Sequence, residues 1–180
     1  MSTTLFKIYL KFVFLLWVIW FSYRQQSLFF VSLFYHKFFR PLLFKLDPEQ
    51  AHDLACNLLS VAERFRILKL LARSFFRTES VPTELMGLTF PNCVGQAAGL
   101  DKDGRFPGMS SSLGFGHVEV GTVTPKGQPG NPSPRLFRYP KFNALVNRMG
   151  FNNSGSKALA AQISRFYPKG NRPSPLGINI

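Results

Sequence analysis

Apolar residues dominate the N-terminal part of the chain. Residues 5–22 are strongly apolar, but Lys7 and Lys11 limit the uninterrupted run to residues 12–22. A helix that crosses a membrane needs about 20 apolar residues, so crossing would require both lysines to snorkel. No small-residue cleavage site follows, which argues against a secretory signal. We therefore expect residues 1–26 to anchor the chain by crossing a membrane or lying on it.

Residues 27–80 carry a helical pattern of apolar positions. Residues 27–44 are rich in aromatic side chains, with basic groups at one end, as is typical of a helix at a bilayer interface. Asp47 and Pro48 predict the start of a second helix, and apolar residues then recur at helical spacing as far as Phe65. The two segments predict a helical hairpin with a slot for an apolar ligand, although such a pair could also pack only against its own domain.

From about residue 81 the pattern changes to short strands separated by turns and helical segments. A hairpin is predicted around Pro91 and Asn92, and residues 104–116 predict only a poor helix because Pro107 and glycines interrupt them. The remaining predicted elements are strands at 94–99, 117–124 and 175–180, a hairpin within 135–151, and a helix at 157–167 capped by Ser154 or Ser156. Strands that alternate with crossovers predict an α/β fold with a parallel sheet.

Charge changes this picture by indicating the partner. The net charge is +13, and all nine acids lie between Asp47 and Glu119. An anionic partner is therefore expected: nucleic acid, an anionic membrane face, or a small carboxylate or phosphate. The two cysteines, Cys56 and Cys93, fit no metal-ligand spacing. We expect both thiols to be reduced and buried, with a disulfide between them as the alternative, and we expect no metal site.

Five motifs, in this order and spacing, resemble dihydroorotate dehydrogenase of the quinone-linked, membrane-associated class. They are LDPEQAH (46–52), AAGLDKDG (97–104), GFGHVEVGTVTPKGQPGNPSPRLFR (114–138), NRMGFNN (147–153) and LGINI (176–180). The resemblance implies a (β/α)₈ barrel that binds FMN at the carboxyl ends of its strands. It implies oxidation of dihydroorotate to orotate in pyrimidine biosynthesis, with electrons passed to ubiquinone or menaquinone. Residues 27–80 would then hold the quinone tunnel, and residues 81–180 would form about the first three barrel strands.

The resemblance also assigns roles to individual residues. Lys102 would contact both FMN and substrate. The FMN contacts implied are Ala98, Gly99, Leu100, Asp101, Lys102, Thr122 and Asn179. The substrate contacts implied are Asn147, Arg148, Met149, Gly150 and Phe151, and the quinone-side residues are His52 and Arg138.

Several of these residues also have plain structural explanations. Lys102 could be a surface lysine on a tight turn, Thr122 a strand threonine, Asn179 a buried loop-holding amide and His52 a surface histidine. Two alternatives remain for Arg148, which could face a substrate carboxylate or a structural partner. An amide such as Asn147 suits the imide edge of a pyrimidine, and backbone N–H groups near Gly150 suit a carboxylate.

Two further polar residues lie on the predicted strands. Gln96 departs from the apolar residue usual in this family, and nothing in the sequence says what satisfies its amide. Glu119 is expected to pair with a cation inside or beside the barrel.

No catalytic residue is predicted within the chain itself. The general base of this class is a serine in a segment that follows the third strand, so it is expected beyond Ile180. Since a complete (β/α)₈ barrel needs about 250 residues, we expect this chain to be an N-terminal fragment that folds poorly and lacks turnover alone.

The expected surroundings follow from the same resemblance and from the apolar N-terminal segment. Membrane lipid is an expected partner, nucleic acid is not, and a monomer is expected. The expected location is the cytoplasmic face of a bacterial inner membrane, with the mitochondrial inner membrane as alternative. The competing functions are another FMN barrel acting on pyrimidines, a basic nucleic-acid-binding protein, and a non-catalytic membrane-bound remnant.

Overall fold

The computed structural model describes residues 32–76, 81–170 and 172–180, so the segment predicted at residues 1–26 lies outside it. The chain divides into two compact units after Asp47. In the first unit a π-helical segment, Tyr35–Phe39, continues into α1, Arg40–Leu43. Its large apolar side chains, Phe38 and Leu42 among them, are exposed. Within the described ranges no helix is both long and apolar enough to cross a membrane.

The second unit opens with two helices, α2 (Pro48–Glu63) and α3 (Arg66–Phe75). The predicted start at Pro48 is confirmed, and extended backbone at Phe65 separates the two helices. Their inner faces contribute Cys56 and Ala72 to a buried apolar cluster. The other face of α2 remains exposed along an apolar stripe made of Leu54, Leu58, Val61 and, just beyond the helix, Phe65.

A β-hairpin follows, but its turn is not where the sequence predicted it. Strands β1 (Thr83–Leu85) and β2 (Leu88–Phe90) pair in antiparallel fashion around Met86 and Gly87, both at positive φ. A two-residue turn with two positive φ values fits the right-handed strand twist. Methionine at such a position gives no sequence signal, so the prediction of a turn at Pro91 and Asn92 was wrong.

Three parallel strands form the central sheet, in the order β3 (Gly95–Gln96), β4 (His117–Val120) and β7 (Leu176–Ile178). The parallel arrangement agrees with the prediction, although the strands are shorter than predicted. Positive φ at Gly99 and Gly121 ends the extended conformation soon after β3 and β4.

Helices cover one face of this sheet. Helix α4 (Pro107–Ser112) occupies the segment predicted to be a poor helix, because Pro107 lies in its first turn, where no N–H is needed. Helix α5 (Ser156–Phe166) occurs as predicted. Its N-cap is Gly155, without a side-chain cap bond, so the predicted serine cap was wrong. The helix packs on the sheet through a buried cluster that comprises Val118, Val120, Val123, Leu159 and Ile163.

The predicted second hairpin is present between β4 and α5. Its strands are β5 (Leu136–Tyr139) and β6 (Ala144–Asn147), joined by a short 3₁₀ turn, Pro140–Phe142, and by Asn143 in the left-handed conformation. The hairpin ends at Asn147, so the segment that follows it, residues 148–153, is held beside the loops that leave the parallel sheet.

Candidate functional site

A cavity of about 580 Å³ opens beside the carboxyl ends of β3 and β4. This volume lies in the range of small-molecule and cofactor sites. Five separate segments supply its walls: α2, the loop after β3, the end of β4, the loop before β5, and the β5–β6 hairpin with the loop that follows it. Its lining includes ten residues predicted from the sequence, namely His52, Gly99, Leu100, Lys102, Thr122, Asn147, Arg148, Met149, Gly150 and Phe151.

The loop after β3 gives the cavity its floor. Gly99 has φ near +100°, and a Cβ added there would meet no atom within 4 Å, so this backbone lies open to the cavity. The neighbouring Asp101 points elsewhere, because its carboxylate accepts bonds from the backbone N–H groups of Arg105 and Phe106, at 2.8 and 2.9 Å. Asp101 thus holds the chain that enters α4, and its side chain lines only a smaller adjoining cavity.

Lys102 is the central cation of the site. It is half-buried, and Nζ makes no hydrogen bond to any group in the described part of the chain. Burial lowers the pKa of Lys102, and the charge of Arg135 lowers it further. An ammonium group without a hydrogen-bond partner in a cavity can bond an anionic or electron-rich ligand atom.

His52 lies on α2 beside this cation. It lines both the main cavity and the smaller one, of about 300 Å³, as do Leu100, Lys102 and Met149. Burial lowers the pKa of His52, and the positive charge of Lys102 acts in the same direction. The ring therefore favours the neutral form, which can both donate and accept a hydrogen bond.

Three side chains at the ends of β4 and β7 form a hydrogen-bonded chain. The Thr122 hydroxyl donates to Asn179 Oδ1, and Asn179 Nδ2 donates to Glu119 Oε1 at 3.3 Å. Glu119 is therefore bonded to an amide, whereas the sequence predicted a cation. Thr122 lines the cavity, and Asn179 lies behind it rather than in the cavity wall.

The segment 147–151 forms the opposite wall. Asn147 Oδ1 lies 3.4 Å from the Met149 backbone N–H, and the side chain otherwise remains exposed. Gly150 and Phe151 both have positive φ, at 74° and 56°. Their backbone N–H groups donate to no group among the described residues, whereas their carbonyls accept from Gln128 Nε2 at 3.2 Å. Consecutive free N–H groups suit the binding of a carboxylate.

Arg148 is engaged within the protein. Its guanidinium donates to the Pro134 carbonyl at 3.0 and 3.3 Å and lies 5.9 Å from the Phe137 ring centroid. Of the two alternatives that the sequence left open, this geometry corresponds to the structural partner.

Sequence reasoning missed the groups that hold this wall. Asn131 Nδ2 donates to the Arg148 carbonyl at 2.7 Å, and Arg135 forms a bidentate ion pair with Glu49 of α2, with N–O distances from 2.6 to 3.1 Å. The buried Asn153 bonds the backbone of Thr124, Phe151 and Gly155. Glu49 and Arg135 are 86 positions apart, so no local pattern predicts their pairing.

Some predicted site residues do not reach the cavities. Ala98 and Arg138 are partly buried but line neither cavity. Gln96 is buried, and neither atom of its side-chain amide has a hydrogen-bond partner in the described structure. The sequence likewise indicated no partner for this amide. Both cysteines are free as predicted, but only Cys56 is buried and Cys93 is exposed.

The catalytic base that the resemblance implies is a serine beyond Ile180. Ile180 follows Asn179 just after β7, its side chain is 94% exposed, and it lines neither cavity. A base serine beyond Ile180 stays a prediction from the resemblance.

Fold and site together define an α/β protein with a three-stranded parallel sheet and a cofactor-sized cavity at the carboxyl ends of its strands. The family model described as dihydroorotate dehydrogenase matches residues 80–180. The chain belongs to the dihydroorotate dehydrogenase family, as its motifs predicted.

Bacterial relatives agree with this assignment. The chain is 51% identical over 143 residues to a dihydroorotate dehydrogenase (quinone) of Janthinobacterium, covering 78% of this chain and 40% of the relative. It is 48% identical over 151 residues to that of Delftia acidovorans, covering 83% and 42%. The chain thus spans about two fifths of the length of these relatives.

Solved structures give the same result. The ligand-free enzyme of Eimeria tenella matches with a TM-score of 0.55 and 36% identity, covering 74% of this chain and 37% of that one. The same enzyme in complex with ferulenol matches with a TM-score of 0.54 and 35% identity, covering 73% and 35%.

Proposed function

We propose that this chain carries the flavin floor and one substrate wall of a quinone-dependent dihydroorotate dehydrogenase. The observation that supports it best is the single cavity in which Lys102, Thr122 and the segment 147–151 meet. The resemblance assigned these residues to one site from three separate motifs. Family membership favours this function over another FMN barrel acting on pyrimidines and over nucleic-acid binding.

The residues present are compatible with FMN. The open backbone at Gly99 gives a flat ring close access, and the Thr122 hydroxyl offers a polar contact at the strand end. When bound, FMN would supply the hydride acceptor for dihydroorotate oxidation. Lys102 would lie against both ligands, where its ammonium group stabilises negative charge on either one.

The segment 147–151 supplies the recognition of the substrate. The Asn147 amide can donate and accept in one plane, which matches the alternating carbonyl and N–H groups of the pyrimidine edge. The free N–H groups of Gly150 and Phe151 would bind the substrate carboxylate. Phe151, which is exposed, would supply an apolar wall to the ring.

The quinone would approach from the side of α2. His52 borders the cavity on that side, and the exposed apolar stripe at Leu54, Leu58, Val61 and Phe65 suits an apolar quinone tail or lipid. Burial of such a stripe is worth about 25 cal/mol for each Å² removed from water. We propose that the exposed apolar stripe of α2 and the aromatic-rich segment 27–44 associate with the inner membrane of a bacterium.

Ligand binding tests this function directly. FMN is titrated into the full chain in detergent and the quenching of flavin fluorescence is followed; orotate is then added and the change in flavin absorbance is recorded. We expect both ligands to bind, and we expect Lys102→Ala to weaken both. Lys157→Ala, which removes an exposed lysine on α5, is the matched control and should bind as the wild type does.

Three results would contradict the proposal. They are no binding of either ligand by wild type, equal losses in the Lys102 and Lys157 variants, and orotate binding by Lys102→Ala that is as tight as binding by wild type. Dye reduction with dihydroorotate is measured on the same samples, and turnover by this chain would overturn the expectation that its base is a serine beyond Ile180.

A further inference from the structure

We propose that Glu119 is a positioning residue for the flavin, acting through Asn179 on the Thr122 hydroxyl. The proposal rests on the proposed binding of FMN in the cavity that Thr122 lines. Glu119 lines neither cavity. Through Asn179 it would determine whether the Thr122 hydroxyl donates or accepts a hydrogen bond at the flavin ring.

The backbone brings these three residues together. Strands β4 and β7 pair so that Glu119 lies opposite Gly177, and a Cβ at Gly177 would lie 3.3 Å from Glu119 Cγ. The absence of a side chain at Gly177 leaves room for Glu119 to extend toward the strand ends. Asn179 lies two residues further on the same face, since successive side chains of a strand alternate.

The chemistry of each partner sets the direction of the whole chain of bonds. Glu119 Oε1 accepts from Asn179 Nδ2, so the NH₂ group of the amide lies on the side of Glu119. The amide oxygen of Asn179 must then face Thr122, and an oxygen there requires the Thr122 hydroxyl to donate. The reverse amide orientation would place two oxygen acceptors against each other.

The consequence lies at the cavity wall. Because the Thr122 proton is directed to Asn179, the lone pairs of the hydroxyl are what remain for a ligand. Thr122 is therefore an acceptor for an N–H of the flavin ring and not a donor to a ring carbonyl. Without Glu119 the amide could turn over, and the hydroxyl would lose this fixed direction.

A double-mutant cycle on the full chain tests the coupling. FMN affinity is measured by fluorescence quenching for wild type, Glu119→Gln, Thr122→Val and the double variant. Each single variant is expected to bind about fivefold more weakly, as for the loss of one net hydrogen bond of about 1 kcal/mol. The double variant is expected to bind no more weakly than Thr122→Val alone, because Glu119 acts through Thr122.

The control reproduces the same chemical change elsewhere. Glu84 accepts a bond from Thr89 Oγ1 at 2.6 Å on the exposed β1–β2 hairpin, so Glu84→Gln removes a carboxylate from a similar glutamate–threonine pair. FMN affinity is expected to be unchanged in this variant. Losses that simply add in the cycle, or an equal loss in Glu84→Gln, would overturn the proposal.

A second measurement separates this inference from the proposed function. The side-chain NH₂ resonances of Asn179 are followed by NMR in the protein without FMN, with Thr122→Val as a reference. We expect Glu119→Gln to shift them and Glu84→Gln to leave them in place. If wild type binds no FMN, the proposed function fails, and unshifted Asn179 resonances in Glu119→Gln would overturn the positioning role independently.

Discussion

Lys69→Met should destabilise the protein more than removal of its partner, Glu63. The Glu63 side chain is fully buried at the end of α2, where it forms an ion pair with Lys69 Nζ at 2.8 Å and accepts a bond from the Met109 backbone N–H. The Lys69 side chain is 25% exposed. The ammonium group can therefore turn to water if its partner is lost, but the carboxylate cannot.

The magnitudes follow from this asymmetry. Removing one partner of a buried ion pair costs about 3–5 kcal/mol, and partial solvent access places Lys69→Met near the lower end, at about 3 kcal/mol. Glu63→Gln keeps an acceptor for Met109 and frees Lys69 to reach water. Its cost should be about 1–1.5 kcal/mol, the value of one weakened hydrogen bond.

The pH dependence gives a second check on the same pair. Burial raises the pKa of Glu63 above its ordinary value, and the bond from Lys69 lowers it. Without Lys69 the folded-state pKa should rise further, so the folded protein binds this proton more tightly than the unfolded chain does. The deficit of Lys69→Met should therefore shrink as the pH falls through the raised pKa, and the recovery should be complete below the ordinary value.

Urea unfolding followed by far-ultraviolet circular dichroism measures these differences. Lys157→Met is the control for loss of an exposed lysine and should leave stability unchanged. A larger loss in Glu63→Gln than in Lys69→Met, or a deficit that does not change with pH, would refute the reasoning.

Three further predictions concern residues that hold the site. Asp101→Asn should lower the free energy of unfolding by about 1.5–3 kcal/mol in urea titrations, because one carboxylate oxygen that accepts a backbone N–H becomes a donor. Gly95→Ala should lower the thermal midpoint, with a cost of about 1–3 kcal/mol, because the new Cβ would overlap the His117 ring. The bond from Arg135 lowers the pKa of Glu49, so their pair should stabilise the fold at neutral pH and lose that effect as the pH falls through the lowered pKa. Thermal unfolding of Arg135→Met across this range should lack that acid-dependent component.

Local signals explain what the sequence predicted of the fold. The start of α2 was predictable because Pro48 suits a first helical turn, and the parallel order of β3, β4 and β7 followed from strands alternating with crossovers. The start of α4 was not. In the sequence Pro107 interrupts a helical pattern. In the structure the helix begins at Pro107, and the Asp101 carboxylate accepts a bond from the backbone N–H of Phe106, the residue just before it.

The site was predictable for a different reason. Motif resemblance placed Lys102, Thr122 and the segment 147–151 together, and the cavity brings them together. The exposure of Cys93 and the direction of the Arg148 side chain depend on tertiary contacts. Neither motif nor periodicity encodes such contacts, so these two features required the structure.

The ion pair between Glu49 and Arg135 links the two sides of the cavity. Glu49 lies one turn before His52 on α2, and Arg135 also donates to the carbonyls of Pro129 and Asn131. The backbone N–H of Asn131 in turn donates to the Met149 carbonyl at 3.0 Å, and this bond joins Asn131 to the segment 147–151. We propose that quinone enters on the side of α2 and that the segment 147–151 binds the pyrimidine. A shift of α2 would therefore also displace this segment. These contacts engage the backbone carbonyls of residues 148–151, whereas the N–H groups of Gly150 and Phe151 donate to no group among the described residues.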